Sequence, residues 1–152
     1  MKILVVCHGN VNRSPLCAAV LRQHLHLTIT ECGVNLKLRP GVAAKKMREA
    51  AAKYDIDLTS HRSQPLTESL WHGCDTIVYM DQGNLKRLNQ FQEDNFLPSK
   101  ELISLGNFHE PMLPKIQDPA FLSKGDPRMD EIVQEIISAS MRLGVQTDSA
   151  EA

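Results

Sequence analysis

Apolar runs alternate along the chain with amphipathic segments, and the two patterns predict different elements. Residues 2–6 form a short apolar run rich in β-branched side chains, which is typical of a strand buried on both faces of a sheet. Residues 75–80 show the same pattern, and residues 27–31 and 102–105 are shorter candidates. Because strands that alternate with helices favour parallel pairing, the sequence predicts an α/β fold with a parallel sheet.

Helical spacing of apolar positions predicts the segments between these strands. Ser14 is expected to cap the first helix, and Pro15 fits the first helical position. Residues 43–54 form the next predicted helix. Asp81 is expected to cap a further helix that ends near residue 89.

The last helix has the clearest periodicity. Asp126 and Pro127 are expected to start it and Gly144 to stop it, since glycine favours the backbone conformation that ends helices. The polar chain beyond Gly144 is expected to fray. The sequence therefore predicts a single domain of residues 1–144 followed by a polar tail of residues 145–152.

Composition and charge argue against several classes of function. A net charge of -1 over 152 residues provides no broad basic surface for nucleic acid or for an anionic membrane. No apolar stretch approaches the length of a membrane span, so we expect a cytoplasmic protein without a membrane partner. The 4 cysteines are irregularly spaced and predict free thiols, and the histidines lack ligand spacing, so no metal site is expected.

The sequence CHGNVNRS, which begins at Cys7, places the parts of an anion site between the first strand and the first helix. A helix start and the nearby Arg13 both favour the thiolate form of a cysteine. Residues 8–12 include Gly9 and Asn10, which accept positive φ and allow backbone N–H groups to converge on an anion. Since arginine can also grip two phosphate oxygens, the segment predicts a phosphate cradle above a nucleophilic sulfur.

The segment CHGNVNRSP resembles the active-site loop of the low-molecular-weight protein tyrosine phosphatases, which reads Cys-x-Gly-Asn-x-Cys-Arg-Ser-Pro near the N-terminus. The likeness extends over residues 3–143 and includes Gly33, IDLTSHRS at 56–63, DTIVYMDQGNLKRL at 75–88, and Asp118 with Pro119. It implies a three-layer fold in which helices flank a four-stranded parallel sheet, with the phosphate-binding loop after the first strand. It also implies that no metal ion or organic cofactor is needed.

The resemblance further implies a role for each matching residue. Cys7 corresponds to the nucleophile and Arg13 to the phosphate-binding arginine. Asn10 matches the asparagine that holds the loop in its strained shape, and Ser14 matches the serine that supports the thiolate. The implied phosphate-binding set is the loop itself: His8, Gly9, Asn10, Val11, Asn12, Arg13 and Ser14.

Asp118 is the implied general acid, although Asp126 also precedes a proline. Asp126 stands where a helix cap is expected, whereas Asp118 lies in a long proline-rich loop over residues 107–124, and such loops are often functional. Phe121, close behind Asp118, is expected to form a wall beside an aromatic substrate.

Three positions depart from the family pattern. Asn12 replaces the second cysteine of the loop, and Glu31 stands where a serine is usual. Ala120 follows the Asp-Pro pair where the family often has an aromatic residue. These changes leave the chemistry intact but bear on substrate choice and on the response of the cysteine to oxidants.

Together these residues predict a phosphoric monoester hydrolase that forms a phosphocysteine intermediate, with a phosphotyrosine-containing protein or a small aryl phosphate as substrate. Phosphoarginine phosphatases have a similar loop but carry threonine where Val11 stands. Arsenate reductases on this fold need resolving cysteines after the third strand, where MDQGNLKRLNQ has none.

Two further alternatives lie outside hydrolysis. A phosphocysteine carrier domain of a sugar phosphotransferase system has a similar strand and loop, but it would give Arg13 and Asp118 no evident role. An inactive phosphate-binding module is less favoured, because the reactive residues are intact. The sequence predicts neither the physiological substrate nor the oligomeric state.

Overall fold

The computed structural model describes residues 1–151, with side chains up to residue 148. Its centre is a 4-stranded parallel sheet with the strand order β2-β1-β3-β4, as the family resemblance implied. The strands are β1 Lys2–Cys7, β2 Thr28–Gly33, β3 Thr76–Tyr79 and β4 Glu101–Ser104. Val5 and Val6 of β1 belong to apolar clusters on opposite faces of the sheet, so the predicted burial of this strand on both faces is confirmed.

Helices cover both faces of the sheet and give three layers. One face carries α1 Arg13–Leu21, α2 Lys45–Ala52 and α5 Arg128–Glu151, and the other carries α3 Glu68–His72 and α4 Gln82–Asp94. The short α3 was not predicted, since a helix of this length has too few apolar positions to show a period. Asp81 caps α4 with a reciprocal capping box, as expected.

The first helix begins differently from the prediction. Asn12, not Ser14, precedes the first helical residue, and Ser14 lies inside α1. The Ser14 hydroxyl is hydrogen bonded to Cys7 and to Asn10, so it is not available to cap the helix. The expected cap was wrong because the serine supports the loop before the helix.

The last helix also differs, because Gly144 does not end it. α5 continues to Glu151, so residues 145–151 are helical and only Ala152 of the expected tail lies outside the described residues. A Cβ atom at position 144 would lie 2.2 Å from Nε2 of His24, which follows α1. Glycine at this position therefore allows α5 to approach the turn after α1 closely, and the predicted stop at Gly144 was wrong.

The sheet order places the site where such sheets bind ligands. β1 and β3 are neighbours, and their chain connections run to opposite sides, which creates a crevice at their carboxyl ends. Cys7 ends β1, and Asp81 follows β3 at the same edge. Within residues 1–151, no helix has both the length and the apolar character needed to cross a membrane.

Candidate active site

The sulfur of Cys7 lies beneath the loop that follows β1 and accepts hydrogen bonds from it. The main-chain N–H of Asn10 donates to Sγ over 3.2 Å, and Ser14 Oγ lies 3.0 Å from the same sulfur. Asn10 Nδ2 donates to Ser14 Oγ over 2.8 Å, which leaves the Ser14 hydroxyl proton free to point at Cys7. Both contacts stabilise a negatively charged sulfur.

Asn10 adopts a left-handed backbone conformation, with φ at 54°, and a network of contacts holds it there. Its Nδ2 donates to Ser14 and, over 3.2 Å, to Glu31 Oε1, while its Oδ1 accepts from the Gln64 main-chain N–H. The side-chain amide therefore has partners on both its nitrogen and its oxygen. Close packing reinforces the turn, because a Cβ atom at Gly33 would lie 2.8 Å from the His8 carbonyl oxygen.

A charge cluster supports this loop from behind: the side chains of Glu31 and His61 are buried, and the half-exposed Arg22 closes it towards solvent. Nδ1 of His61 lies 3.0 Å from Glu31 Oε1, and its Nε2 lies 2.6 Å from the carbonyl oxygen of Asn10. A carboxylate and a carbonyl have no proton to donate, so both ring nitrogens must be donors and His61 is an imidazolium. Arg22 binds the other Glu31 oxygen over 2.7 Å.

The pKa values of the pair agree with this geometry. Burial raises the pKa of Glu31, but the hydrogen bond and charge of His61, with Arg22, outweigh it and hold the pKa below its ordinary value. Burial likewise lowers the pKa of His61, but the hydrogen bond and charge of Glu31 raise it above its ordinary value overall. Both shifts favour the charged forms, in agreement with the contacts of the imidazole ring.

Arg13 is anchored through Nη1, whereas its Nε has no partner among the described residues. Its Nη1 donates to Asp81 Oδ2 over 2.6 Å and to the carbonyl oxygen of Ile116 over 2.9 Å. Its buried Nε has no partner among the described residues, although the side chain is only 2% exposed. Burial raises the pKa of Asp81, but hydrogen bonds from Arg13 and from the start of α4 lower it below its ordinary value. Asp81 thus anchors the guanidinium and leaves its other edge to bind an anion.

A cavity of about 80 Å³ lies over the sulfur and brings together the three predicted catalytic residues. Asn10 and Ser14 of the predicted phosphate-binding set do not line it, because they lie behind the sulfur and support the loop. The residues that line the cavity are Cys7, His8, Gly9, Val11, Asn12, Arg13, Asp118 and Ala120.

The two candidate acids occupy different surroundings. Asp118 lines the cavity, and its Oδ2 lies 3.5 Å from Arg13 Nη2, while its Oδ1 accepts from the Ala120 N–H. Asp126 instead accepts hydrogen bonds from the main chain and side chain of Arg128 at the start of α5. The geometry therefore favours Asp118 as the acid and leaves Asp126 a role at the helix start.

Phe121 is not brought to the cavity. Its side chain is 93% exposed and does not contribute to the lining, whereas the preceding Ala120 does. The 3-10 turn Pro119–Phe121 turns the two neighbouring side chains in different directions. Ala120, and not Phe121, therefore lines the cavity in this structure.

A sequence profile described as Low molecular weight phosphotyrosine protein phosphatase matches residues 2–150. The chain belongs to this family. A probable low molecular weight protein-tyrosine-phosphatase, EpsP of Ralstonia nicotianae, is 41% identical over 80 residues, which cover 52% of this chain and 54% of the relative. The low molecular weight phosphotyrosine protein phosphatase of Schizosaccharomyces pombe is 26% identical over 142 residues, 88% of this chain and 89% of the relative.

Solved structures of related proteins have the same fold. Wzb of Vibrio vulnificus, solved in complex with benzylphosphonate, has a TM-score of 0.80 and 28% identity, covering 95% of this chain and 97% of that one. The YwlE arginine phosphatase of Geobacillus stearothermophilus shares the fold, with a TM-score of 0.77 and 24% identity. The match covers 99% of this chain and 96% of that one. The chain spans about half the length of the two curated Ralstonia relatives that it matches.

Within this low-molecular-weight phosphatase architecture, the sequence left several supporting residues unassigned. Glu31 appeared only as a departure from the family pattern, and Asp81 only as a helix cap. His61 lies within the IDLTSHRS likeness, but the sequence assigned it no role beyond the absence of metal-ligand spacing. The sequence did carry a signal for these residues. The segments IDLTSHRS and MDQGN belong to the family likeness although neither contains the proposed nucleophile. Their inclusion indicates that they contact the loop that follows Cys7.

Proposed function

We propose that the protein hydrolyses phosphate monoesters through a phosphocysteine intermediate, with phosphotyrosine in proteins or a small aryl phosphate as substrate. The proposal rests on a single observation, the cavity that Cys7, Arg13 and Asp118 line together. The family membership supports it, because the curated relatives are named protein-tyrosine-phosphatases. No step in this chemistry requires a metal ion or an organic cofactor.

In the first step the Cys7 sulfur attacks phosphorus in line with the leaving oxygen. A sulfur–phosphorus bond forms and the phosphorus–oxygen bond to the leaving group breaks, while Asp118 transfers its proton to the departing oxygen. The Nε edge of Arg13 and the loop N–H groups hold the equatorial oxygens. This preorganised field stabilises the charge of the transition state.

In the second step water attacks the phosphocysteine. Asp118, now a carboxylate, removes a proton from the water, a new phosphorus–oxygen bond forms, and the bond to sulfur breaks. Cys7 leaves as a thiolate, which the Asn10 N–H and Ser14 hydroxyl stabilise in the positions seen here. The same carboxyl group therefore acts as acid and then as base.

The choice of phosphotyrosine rests on the relatives and on the cavity. Wzb of Vibrio vulnificus binds benzylphosphonate, a phosphonate joined to an aromatic ring through a methylene group, and it is 28% identical to this chain. Phosphoarginine stays the alternative, since the arginine phosphatase neighbour shares the fold. Val11 in the cavity wall favours an aryl group, because it adds an apolar surface without a hydrogen-bonding group.

Arsenate reduction and phosphoryl carriage fit the site less well. Neither Cys17 nor Cys32 lines the cavity, so neither thiol is placed to receive an oxidised product from Cys7. A carrier would leave Asp118 beside the cavity without a proton to transfer.

We also propose a cytoplasmic location, in which the nucleophilic thiol stays reduced, and the assignment of the activity to residues 1–144.

A phosphatase assay in EDTA tests the proposal. The purified protein is offered phosphotyrosine, phosphoserine and phosphoarginine peptides, and arsenate with a thiol reductant. We expect release of phosphate from phosphotyrosine at the highest kcat/KM, no effect of EDTA, and no turnover by Cys7→Ala. The control is Cys74→Ala, which removes a buried thiol on the other side of the sheet. Preference for phosphoarginine would overturn the substrate, and normal turnover by Cys7→Ala would overturn the mechanism.

A further inference from the structure

Lys46 links the two loops that hold the proposed catalytic residues. It lies in the first turn of α2, and the Ala44 N–H just before that helix donates to the carbonyl oxygen of Val11 over 2.8 Å. Lys46 Nζ donates to the carbonyl oxygen of Pro119 and, over 3.3 Å, to that of Leu122. The start of α2 therefore touches the phosphate loop through its backbone and the acid loop through this side chain.

The acid loop is anchored firmly on one side of Asp118. Before it, Ile116 is fully buried, its N–H donates to the Met80 carbonyl over 2.8 Å, and its carbonyl accepts from Arg13. After it, Pro119 is buried, Ala120 and Phe121 are exposed, and Leu122 is buried again. The carbonyls that Lys46 binds, those of Pro119 and Leu122, bracket this exposed turn.

The ammonium group of Lys46 has no carboxylate partner among the described residues, so its contacts with the loop do not compete with an ion pair. An ammonium offers three donors, and hydrogen bonds from a charged donor are about twice as strong as neutral ones. The neighbouring Lys45 differs clearly: it is 79% exposed and lies 3.9 Å from Glu49 on its own helix.

We propose that Lys46 is a positioning residue for the general acid: by binding the Pro119 and Leu122 carbonyls it fixes the turn that aims the Asp118 carboxyl group into the cavity. This inference rests on the proposed function, because it assumes that Asp118 donates the proton. Lys46 does not touch the reacting atoms. Its loss lets the turn relax, and the carboxyl group spends less time within reach of the leaving oxygen.

The test compares Lys46→Met with the matched control Lys45→Met on a series of aryl phosphates. We expect Lys46→Met to lower kcat/KM by about tenfold for phenyl phosphate, whose leaving oxygen needs a proton, which is part of the 10²–10⁴-fold that a general acid contributes in total. The loss for p-nitrophenyl phosphate, a good leaving group, should be much smaller. Lys45→Met should match the wild type on both substrates, and Lys46→Arg, which keeps a charged donor, should recover most of the loss.

A double variant shows whether Lys46 acts through Asp118. In an Asp118→Asn background, adding Lys46→Met should cause no further loss, because the group it positions is already absent. The inference would be overturned if Lys46→Met lowered kcat/KM in the Asp118→Asn background as much as in the wild type. It would also be overturned if Lys46→Met alone lowered kcat/KM equally for both substrates. If Asp118→Asn shows no dependence on the leaving group, the acid assignment fails. If Asp118→Asn does show this dependence but Lys46→Met behaves like Lys45→Met, the acid assignment stands and only the proposed role of Lys46 fails.

Stability measurements separate positioning from folding. We expect the melting temperature of Lys46→Met to stay close to that of Lys45→Met, since the exposed turn contributes little to the core. Lys46→Gln is a second variant that keeps a neutral donor, and it should show a smaller leaving-group dependence than Lys46→Met. The same dependence in both variants would contradict a role for the hydrogen bonds.

Discussion

His61 Nδ1 lies 3.0 Å from Glu31 Oε1, and this ion pair lies directly behind the loop that carries Cys7, the proposed nucleophile. The opposite ring nitrogen binds the carbonyl oxygen of Asn10, the residue with positive φ. One imidazole ring thus bridges the Glu31 carboxylate and the main-chain carbonyl of the strained turn. The family resemblance implies a serine at this position, whereas in this chain the carboxylate of Glu31 contacts both His61 and Asn10.

The first prediction concerns the pH range in which the Glu31–His61 pair stabilises the fold. The lowered pKa of Glu31 gives stability that is present above its ordinary value of 4.5 and is lost as the pH falls through the folded value. The raised pKa of His61 gives stability that is complete below its ordinary value of 6.5 and is lost as the pH rises through the folded value. The pair therefore contributes most in weakly acid to neutral solution.

Thermal unfolding of wild type and Glu31→Gln across pH checks this. The gap in melting temperature should be widest between about pH 4.5 and 6.5 and should narrow on both sides, because the ordinary values of a carboxyl and an imidazole bound the window. Glu49→Gln, a change of an exposed carboxylate on α2, should show no such window. A gap of constant size over the whole range would show that the charge pair is not its source.

The second prediction concerns the anchor of Arg13. Asp81→Asn keeps a residue that can cap α4 but removes the negative charge from the guanidinium. We expect inorganic phosphate to bind about tenfold more weakly, equivalent to about 1.4 kcal/mol, because the freed side chain must be ordered on binding. The measurement is the competitive inhibition constant of phosphate. Asp75→Asn, at the opposite end of β3, is the control, and equal constants for the two variants would exclude the anchor role.

The third prediction separates the two Asp-Pro sites. Asp118→Asn should slow the phosphorylation step with a phosphotyrosyl peptide by 10²-fold or more, and much less with p-nitrophenyl phosphate, as expected for a lost general acid. Asp126→Asn should leave both rates unchanged, since its carboxylate binds Arg128 away from the cavity. Leaving-group dependence in Asp126→Asn, with none in Asp118→Asn, would reverse the assignment.

The fourth prediction concerns oxidation of Cys7. Burial raises the pKa of Cys17 to about 12, and this thiol lies in the core against α5; burial also raises the pKa of Cys32 well above its ordinary value. Cys7 and Cys32 belong to apolar clusters on opposite faces of the sheet. Peroxide should therefore drive Cys7 to sulfinic and sulfonic acid rather than to a disulfide, so dithiothreitol should recover little activity.

Asn12→Cys provides the matched variant for that experiment, because it restores the second loop cysteine implied by the family pattern. The introduced thiol should trap oxidised Cys7 as a disulfide, and dithiothreitol should then recover most activity. Bound phosphate should protect both proteins. Full recovery of the wild type through a Cys7–Cys32 disulfide, detected by peptide mass spectrometry, would refute the absence of a partner thiol.

Local patterns predicted the parts of the site that are close in sequence. Cys7 and Arg13 could be found because a strand, a short turn and a helix start follow one another within one stretch of chain, and each has its own residue preference. Glu31 and His61 could not be found that way. Their role arises from parallel pairing of β1 with β2 and from a loop that meets Asn10, which no local period encodes.

The errors have a shared physical origin in tertiary contacts. Ser14 and Gly144 each fit a local rule for helix ends, but Ser14 binds Cys7, and Gly144 makes room for His24. Phe121 was placed by its distance from Asp118 along the chain, whereas the 3-10 turn selects Ala120 to face the cavity. Local propensity predicts which elements form, but packing decides where each one ends and which side chain it presents.

The central claim is that the phosphoryl group passes through Cys7, and trapping the intermediate tests it most directly. Asp118→Asn is mixed with p-nitrophenyl phosphate labelled in the phosphoryl group, quenched with denaturant, and mapped by peptide mass spectrometry. This variant should accumulate the intermediate, because the good leaving group departs without an acid while the second step lacks its base. The account predicts one labelled phosphoryl group on Cys7 and none when Cys7→Ala is added. Label on another residue, or continued turnover after Cys7→Ala, would contradict it.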